Sequence, residues 1–338
     1  MENKPVSNEL FRLIVDAGES HSKIDYSTPS LWMGSCFTEN IGSYLKWLKL
    51  PAWVNPFGVL YNPESIRRSL GILIEGRLFG TGDLRQGNDL WYSFNHHTSY
   101  SNPDRDECLR NINNSIREAS ARLKDAGFLF LTFGTARVYR FRETGQIVSN
   151  CHKLPHRLFD HELLTTDEIT GSYEALIKDL HDFNPGLQLV FTISPVRHWK
   201  DGPNGNLVSK STLAVAIASL AERFENVSYF PAYEIVMDEL RDYRFYESDM
   251  IHINSQGVDY IRKRFIEHFI AKHALPYIKE ITSIHQGIRH RPFNPHTESY
   301  IVFLRGLLDR IEKFAGAVPE ADMKPEKEEI IRRLGIYG

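Results

Sequence analysis

The sequence predicts an α/β fold built on a mainly parallel sheet. Two uninterrupted apolar runs, at Phe128–Phe133 and at residues 187–194, are typical of strands that are covered on both faces. Each run follows a segment whose apolar residues recur at helical spacing, and strands that alternate with helices indicate a parallel sheet. At 338 residues the chain is long enough to bury a substantial core, as two domains or as one enlarged α/β domain.

The first predicted elements lie near the N-terminus. An edge strand is predicted at 10–15, and after a polar loop the apolar segment 30–33 leads through a glycine turn into a helix. One face of this helix carries Ile41, Leu45 and Leu48. Residues 53–62, which contain a proline and a glycine, predict an ordered loop.

The middle of the chain continues this alternation. A helix at 104–125 has an apolar stripe formed by Cys108, Ile112, Ile116, Ala119 and Leu123. The strand Phe128–Phe133 follows it, and a hairpin with a turn at Gly145 is predicted over 137–150. Beyond the hairpin, the pattern predicts helices at Thr166–Phe183, 209–224 and 255–273 and strands at 187–194 and 227–230.

The C-terminal part of the sequence contains no evident strand after about residue 276. An amphipathic helix is indicated by Ile301, Leu304, Leu308 and Ile311, and the charged tail from Lys324 indicates a weaker one. No internal repeat and no heptad run is evident, so neither a repeat array nor a coiled coil is expected. We therefore predict an α/β domain over residues 1–275 and a helical C-terminal extension over residues 276–338.

Composition and charge exclude several classes of protein. The 40 Lys and Arg residues and the 43 Asp and Glu residues give a net charge of −3, so the basic excess of a general nucleic-acid binder is missing. Three cysteines, Cys36, Cys108 and Cys151, are too few for a disulfide framework. The N-terminus has no run typical of a signal peptide, and no stretch approaches the roughly 18 apolar residues that span a bilayer. We therefore expect a cytoplasmic protein without nucleic-acid or membrane partners.

Two segments carry the residue types that covalent catalysis needs. The first, Gly34-Ser35-Cys36, lies where a strand turns into a helix, and the helix N-terminus offers free N–H groups and a partial positive charge that favour a thiolate. The second is Asp249 followed by His252, just before the helix at 255–273. A carboxylate at this spacing can accept the Nδ1–H bond and leave Nε2 facing a nucleophile, which is the orienter–base arrangement of a catalytic triad.

The order of these two segments resembles that of the SGNH (GDSL-type) hydrolases, whose first block reads Gly-Asp-Ser and whose last block supplies Asp-x-x-His. The closer resemblance is to the GSCFA family, a distant SGNH relative named for its N-terminal motif, which stands here as Gly34-Ser35-Cys36-Phe37-Thr38. Further segments similar to those of the family recur in order over roughly residues 10–270. They are Asn55-Pro56-Phe57-Gly58, Thr132-Phe133-Gly134-Thr135-Ala136, Asn150-Cys151-His152-Lys153, Ser194-Pro195-Val196-Arg197-His198, Tyr229-Phe230-Pro231-Ala232-Tyr233-Glu234 and Arg241-Asp242-Tyr243-Arg244-Phe245-Tyr246.

The resemblance implies an SGNH-like three-layer α/β/α sandwich and an acyl hydrolase, esterase or acyltransferase. Its substrate would be a small-molecule or glycan ester, such as an O-acylated carbohydrate, and no cofactor is implied. Aligned without a gap, Cys36 takes the nucleophile position, Ser35 is the alternative, His252 is the base and Asp249 orients it. The competing structural interpretation is that Cys36 is a small buried hydrophobe and that Ser35 caps the helix.

The segment after the strand Phe128–Phe133 departs from the SGNH pattern. Ala136 and Arg137 stand where those hydrolases have Asn and Asp, and the loss of one oxyanion donor typically costs about 10²–10³ in rate. The candidates for supplying oxyanion or substrate contacts are Asn55, Gly58, Gly134, Asn150 and His152. Arg197 or Lys153 is a candidate for binding an anionic group of the substrate, and the alternative, which the sequence favours, is a solvated loop charge.

Other interpretations follow from the same residues. The main alternative is a catalytically silent module that keeps the cleft for a glycan or a peptide, because the usual oxyanion block is replaced. A weaker one is a thiol-dependent redox or transfer role for Cys36 with Cys151, which requires their proximity. A metal site at His96-His97 and Cys151-His152 is not predicted, because this spacing matches no structural-zinc pattern. The oligomeric state is left open.

Overall fold

The structure, a computed structural model, describes residues 13–18, 20 and 22–337. Its strands are β1 (Ser30–Gly34), β2 (Ala52–Val54), β3 (Arg85–Gly87), β4 (Leu90–Tyr92), β5 (Phe128–Phe133), β6 (Arg137–Phe141), β7 (Ile147–Val148), β8 (Phe159–Leu163), β9 (Gln188–Ile193) and β10 (Val227–Tyr229). Its helices are α1 (Cys36–Trp47), α2 (Pro63–Glu75), α3 (Arg105–Asp125), α4 (Thr166–Phe183), α5 (Gly202–Arg223), α6 (Ala232–Glu234), α7 (Ser255–Phe269), α8 (Leu275–Arg289), α9 (Glu298–Ala317) and α10 (Lys324–Tyr337).

A five-stranded parallel sheet lies at the centre, with its strands in the order β10-β9-β5-β1-β2. Leu31 pairs with Leu129, and Leu129 pairs with Leu189, so the carboxyl ends of the strands finish at one common edge. From β1 the chain moves outward to β2 and then returns to build β5, β9 and β10 on the other side. In sheets with such a reversal, ligands bind at the carboxyl edge beside the strand where the order reverses, which here is β1.

Side chains alternate along the strands between two apolar faces. Leu31 and Met33 of β1 pack in one cluster with α2, α3, α4 and α5, whereas Trp32 packs on the other face with α1 and α7. On that second face the Trp32 ring stacks on Phe130, with the ring centroids 3.9 Å apart. Because both faces of the sheet are apolar and covered by helices, the predicted three-layer α/β/α class is confirmed.

The C-terminal helices α8, α9 and α10 extend the second face. Their buried residues belong to the same apolar cluster as those of α1 and α7. Tyr277 and Phe314 contact the ring of Tyr26 edge-on, and Lys49 forms a 2.7 Å ion pair with Glu326 of α10. The extension therefore shares a core with α1. Across residues 13–18, 20 and 22–337, no helix combines the length and the apolarity that crossing a bilayer requires.

Two small antiparallel sheets accompany the parallel one. β3 pairs with β4, and β6 lies between β7 and β8. A separate apolar cluster contains Tyr92, Phe94, Phe141, Val148 and Phe159, and it joins these sheets. The hairpin predicted over 137–150 is formed by β6 and β7, with Tyr139 opposite Val148. The pattern does not predict β8 or the β3–β4 pair.

Several elements match the sequence prediction. α4 spans the predicted residues Thr166–Phe183, and β5 spans the predicted Phe128–Phe133. The predicted apolar stripe of α3 is buried along its whole length. The predicted strand at 10–15 falls partly outside the described residues, and its described part, 13–15, carries no strand.

Other elements differ from the prediction for physical reasons. β2 lies largely within the predicted loop 53–62, because three residues are too few to show alternation and the strand exists only by pairing with β1. α5 begins at Gly202 rather than at 209, since Pro203 suits the first turn of a helix. α7 ends at Phe269 rather than at 273, because the chain beyond it pairs with Ile24. The pattern also misses α2 and α8.

Candidate functional site

The turn at the end of β1 requires a glycine. Gly34 has a φ of +148°, a backbone conformation that residues other than glycine rarely adopt. A Cβ at this position would lie 2.4 Å from the Thr132 carbonyl oxygen. Its N–H donates to Asn55 Oδ1 at 2.9 Å, and its carbonyl accepts a hydrogen bond from the Leu60 N–H at 2.9 Å. The turn is therefore fixed between β5 and the loop that follows β2.

Ser35 and Cys36 have different environments at the start of α1. Ser35 is buried and caps the helix, because its Oγ accepts a hydrogen bond from the Phe37 N–H at 3.3 Å. Cys36 is the first helical residue and is partly exposed. No described residue accepts a hydrogen bond from the Cys36 N–H, as is usual in the first turn of a helix. This donor and the positive end of α1 both lie at the carboxyl edge of the sheet.

Tyr61 contacts Cys36 and is not among the site residues predicted from the sequence. Cys36 Sγ and Tyr61 Oη lie 3.7 Å apart. Burial, and to a lesser degree the neighbouring Cys36, raises the pKa of Tyr61 above its usual range, so its hydroxyl stays protonated and can donate to a thiolate. The Tyr61 carbonyl accepts hydrogen bonds from the Gly134 N–H at 2.7 Å and the Thr135 N–H at 3.0 Å. In the sequence, only the position of Tyr61 in the predicted ordered loop 53–62 indicates that it could lie at the site.

Asn55 and Gly58 shape the loop beside this turn. Asn55 has a positive φ of 49°, and its Nδ2 is buried with no hydrogen-bond partner among the described residues. Gly58 donates its N–H to the Asn55 carbonyl at 2.7 Å, and a Cβ at Gly58 would lie 2.3 Å from the Cβ of His97. Asn55 Nδ2 is therefore an uncommitted donor next to the Gly34 turn, whereas the Gly58 N–H is engaged.

The backbone of Gly134-Thr135-Ala136-Arg137 uses all of its N–H groups internally. The first two donate to the Tyr61 carbonyl. The Ala136 N–H donates to Ser209 Oγ at 2.8 Å, and the Arg137 N–H donates to Thr135 Oγ1 at 3.1 Å. These bonds hold the end of β5 against α5 and the loop after β2. The segment therefore offers no free backbone donor to an oxyanion.

Asp249 and His252 form the hydrogen-bonded pair that their spacing predicts. His252 Nδ1 lies 2.6 Å from Asp249 Oδ2, and the N–H groups of Ile251 and His252 each donate to Asp249 Oδ1 at 2.9 Å. The bond from His252, with smaller contributions from the backbone bonds, lowers the pKa of Asp249 to about 2. Both side chains are exposed. The ionised carboxylate holds the imidazole by Nδ1, and Nε2 has no hydrogen-bond partner among the described residues.

The Asp249–His252 pair and the Gly34 turn lie at the same edge of the sheet. The chain beyond α7 pairs with Ile24, which precedes β1, so α7 ends at the amino edge and begins at the carboxyl edge. Arg262 of α7 donates to the Asn40 carbonyl of α1 at 3.2 Å, so the two helices are neighbours. Within residues 22–337, no hydrogen bond joins His252 to Ser35 or Cys36.

A cavity of about 800 Å³ opens beside the Asp249–His252 pair, where β9 and β10 end. Six of its lining residues are Arg197, Trp199, Met237, Tyr243, Tyr246 and Asp249. Ser35, Cys36 and His252 are not among the residues that line it. We name this space the Arg197 cavity. It brings Arg197 and Asp249 together.

Asn150 and His152 lie in the small-sheet region. Asn150 Oδ1 accepts a hydrogen bond from the His152 N–H at 2.8 Å. The His152 ring is buried, stacks on Tyr92 at 4.2 Å between ring centroids, and places Nε2 2.9 Å from the Ser93 carbonyl. Burial lowers the pKa of His152 to about 4, so the ring is neutral at pH 7. No hydrogen bond among the described residues links either side chain to Cys36.

The described residues contain no group of three or more His, Cys, Asp or Glu side chains placed to hold a metal ion. The His96 ring is fully buried and stacks on Phe57 at 4.7 Å, and burial lowers its pKa to about 3. Cys36 and Cys151 are both free thiols. Burial raises the pKa of Cys151 to about 11, and no contact joins it to Cys36 in the described part of the chain.

Another aspartate–histidine pair follows β9 and is not among the site residues predicted from the sequence. His198 Nδ1 lies 2.8 Å from Asp201 Oδ2. Arg137 Nε and His161 Nε2 also approach the Asp201 carboxylate, at 3.5 Å and 3.7 Å. In the sequence, this pair has the same three-residue spacing as Asp249 and His252, but the histidine precedes the aspartate. Unlike Asp249, Asp201 is shared by several cationic or protonatable groups.

Two protein-family models match the chain. One, described as the GSCFA family, matches residues 30–265, which is more than half of the sequence. The other, described as the C-terminal domain of GSCFA domain proteins, matches residues 281–335. The first match contains the Gly34 turn, the Asp249–His252 pair and every strand of the parallel sheet. No curated protein matches the chain.

Proposed function

The chain belongs to the GSCFA family, and from this premise we propose that it is an acyl hydrolase or acyltransferase that acts through a thioester on Cys36. One observation carries the proposal: α1 and α7 begin at the same edge of the sheet, one with Cys36 and the other just after the Asp249–His252 pair. An attacking thiol, a base and an orienting carboxylate are the groups that nucleophilic acyl transfer requires.

In the proposed reaction, Cys36 Sγ attacks the acyl carbon of an ester while His252 Nε2 accepts the thiol proton. The tetrahedral intermediate then collapses, the bond from carbon to the alcohol oxygen breaks, and the imidazolium gives its proton to the leaving oxygen. Water, or a second alcohol in a transferase, attacks the thioester and passes its proton to His252. Cleavage of the carbon–sulfur bond returns that proton to Cys36, and Asp249 orients the ring throughout.

The surroundings of Ser35 and Cys36 support the thiol as the attacking group. Ser35 Oγ is buried and accepts the capping bond from Phe37, so its rotation away from the cap would cost helix stability. Cys36 is partly exposed, and its Sγ lies 3.7 Å from the Tyr61 hydroxyl, a donor that stabilises a thiolate. The positive end of α1 stabilises the same charge.

Two donors near the Gly34 turn can bind the oxyanion in place of the missing asparagine. The Cys36 N–H is free at the start of α1, and Asn55 Nδ2 has no partner among the described residues. Asn55 is positioned by its Oδ1, which accepts the Gly34 N–H. A preorganised donor of this kind contributes about 10²–10³ in rate. Asn55 thus fits the function that Ala136 and Arg137 leave unfilled.

A catalytically silent binding module is the second candidate. The observation that favours it is that the Asp249–His252 pair is exposed and makes no hydrogen bond to Cys36 in the described structure. A glycan or peptide would then bind at the carboxyl edge without acyl transfer. A measurement of ester turnover distinguishes the acyl-transfer enzyme from the silent binding module.

The test measures turnover of p-nitrophenyl esters of increasing chain length and release of acetate from O-acetylated sugars. We expect Cys36→Ala to lower kcat/KM by about 10³-fold or more, because the covalent route is lost. The matched control is Ser35→Ala, which should stay within about ten-fold of wild type and lose about 1 kcal/mol of stability through the lost cap. Intact-protein mass spectrometry should show an acyl adduct on Cys36.

Equal turnover in wild type and Cys36→Ala would contradict the proposal. Loss of turnover in Ser35→Ala, together with an acyl adduct on Ser35 in the wild type, would identify Ser35 rather than Cys36 as the nucleophile. No turnover of any ester by wild type, together with glycan binding, would favour the silent module. Asn55→Ala reports on the oxyanion donor, and it should lower kcat more than it raises KM.

A further inference from the structure

The Arg197 cavity contains an arginine whose charge is not balanced. Other charged side chains that line the cavity have partners: Arg241 bonds Asp238 at 2.6 Å, and Asp249 bonds His252 at 2.6 Å. Arg197 has no carboxylate within 4 Å among the described residues. Its guanidinium contacts the Met237 sulfur, with Nη2 and Sδ 3.7 Å apart.

A second basic side chain, Lys210, interacts electrostatically with Arg197. Lys210 of α5 is buried, and its Nζ donates to the Gly134 carbonyl at 2.7 Å and the Ser194 carbonyl at 2.6 Å. No carboxylate pairs with it in the described structure. Burial, with a smaller effect from Arg197, lowers the pKa of Lys210 to about 7. In its protonated form Lys210 is repelled by Arg197, and an anion bound at Arg197 would reduce that repulsion.

Exposed apolar side chains stand around the same cavity. Tyr243 is 74% exposed, Met250 is 55% exposed and Trp199 is 51% exposed, and all three line it. Large apolar side chains left in contact with water at the mouth of a cavity are typical of a ligand-binding surface. They offer flat or flexible contacts to an apolar or ring portion of a ligand, next to the guanidinium.

We propose that the Arg197 cavity binds an anionic group of the substrate, a carboxylate or a phosphate monoester, with the attached ring or chain lying against Tyr243 and Trp199. The proposal rests on the proposed function and names its substrate class: an ester that carries negative charge. A guanidinium binds a carboxylate or a phosphate through two parallel N–H bonds, which fixes the orientation of the ligand. Asp249 at the rim of the cavity places this anchor beside the His252 base.

The test measures binding separately from catalysis. Succinate and inorganic phosphate are titrated by calorimetry into the full chain carrying Cys36→Ala, and 1,4-butanediol is the uncharged counterpart of succinate. We expect binding of at least one anion and none of the diol. Adding Arg197→Gln should weaken anion binding about ten-fold or more, because a charge-assisted bidentate contact is lost. The anion that binds more tightly identifies the group as carboxylate or phosphate.

The matched control is Arg241→Gln, which removes the same charge from the same cavity but from an arginine already paired with Asp238. It should weaken binding less than about three-fold. Arg197→Lys keeps the charge and should give intermediate affinity, which also guards against misfolding of Arg197→Gln. Equal losses in the Arg197→Gln and Arg241→Gln variants, or no anion binding before Arg197 is changed, would overturn the proposal. Anion binding without ester turnover by wild type would instead count against the proposed function alone.

Discussion

Two aspartate–histidine pairs, Asp249–His252 and Asp201–His198, share a three-residue spacing and a hydrogen bond but differ in their surroundings. His252 Nδ1 lies 2.6 Å from Asp249, and His198 Nδ1 lies 2.8 Å from Asp201. The Asp249 side chain is 47% exposed, whereas that of Asp201 is 5% exposed. Both side chains of the first pair are open to solvent, whereas the carboxylate of the second is enclosed by neighbouring elements.

The partners of each carboxylate explain the difference. Asp201 also faces Arg137 of β6 and His161 of β8, so it holds the small sheet against the start of α5. Among the described residues Asp249 has a single side-chain partner, His252, and its remaining bonds come from the backbone of its own loop. Asp201 thus links three elements of the fold, whereas the Asp249 side chain bonds one imidazole within its own loop. The hydrogen bond alone therefore does not identify a catalytic pair.

Replacing the two histidines gives the largest expected contrast. We expect His252→Ala to lower kcat of ester turnover by about 10²–10⁴-fold, because the general base is lost. His198→Ala, the matched control, should leave kcat within a few-fold of wild type. The measurement is steady-state turnover of the best p-nitrophenyl ester, with folding checked by circular dichroism. A larger loss of kcat in His198→Ala than in His252→Ala would reverse the assignment of the two pairs.

Replacing the two aspartates by asparagine gives a smaller effect of a different kind. Asp249→Asn should lower kcat by no more than His252→Ala does, at most about 10⁴-fold, since the imidazole loses its orienting partner, with little change in stability because both side chains are exposed. Asp201→Asn should leave kcat nearly unchanged and lower the free energy of unfolding by about 1–3 kcal/mol, because Arg137 and His161 lose an enclosed partner. Urea denaturation measures the second quantity. Stability losses of equal size in the two variants would remove the distinction between the pairs.

The fold is predictable from the sequence where its signal is local. The apolar run of β5 and the stripe on α3 are visible because each depends only on residues close in the chain. β2 and β8 are not visible, because β2 has three residues and β8 has a mixed burial pattern, so that both are defined by their partner strands. α2 has a clear apolar face, yet the prolines and glycines around it suggest a loop.

The candidate site is predictable to a similar extent. Gly34-Ser35-Cys36 and Asp249–His252 are short contiguous patterns, so the sequence shows them directly. Tyr61 and Lys210 belong to the same edge only because the loop after β2 and the helix α5 fold over the ends of β5 and β9. No local sequence pattern predicts these contacts, since each of them joins residues that are distant in the chain.

The smallest expected effect concerns pH and the state of the Asp249 carboxylate. The hydrogen bond from His252 lowers the pKa of Asp249 to about 2, below the usual value of about 3.9 for aspartate. A carboxyl whose pKa is lower in the folded protein stabilises the fold above its unfolded pKa and loses that contribution as pH falls. Any stability gained from Asp249 should therefore be full above about pH 4 and decline towards pH 2.

The same pKa predicts the shape of the rate profile. Because Asp249 stays ionised at every pH above about 3, the fall of kcat on the acid side must arise from another group. Asp249→Asn should therefore lower the height of the profile without removing its acid limb. The measurement is kcat between pH 4 and pH 9 for wild type and Asp249→Asn at constant ionic strength. Disappearance of the acid limb in Asp249→Asn would mean that Asp249 itself titrates during turnover, and it would then act as more than an orienting group.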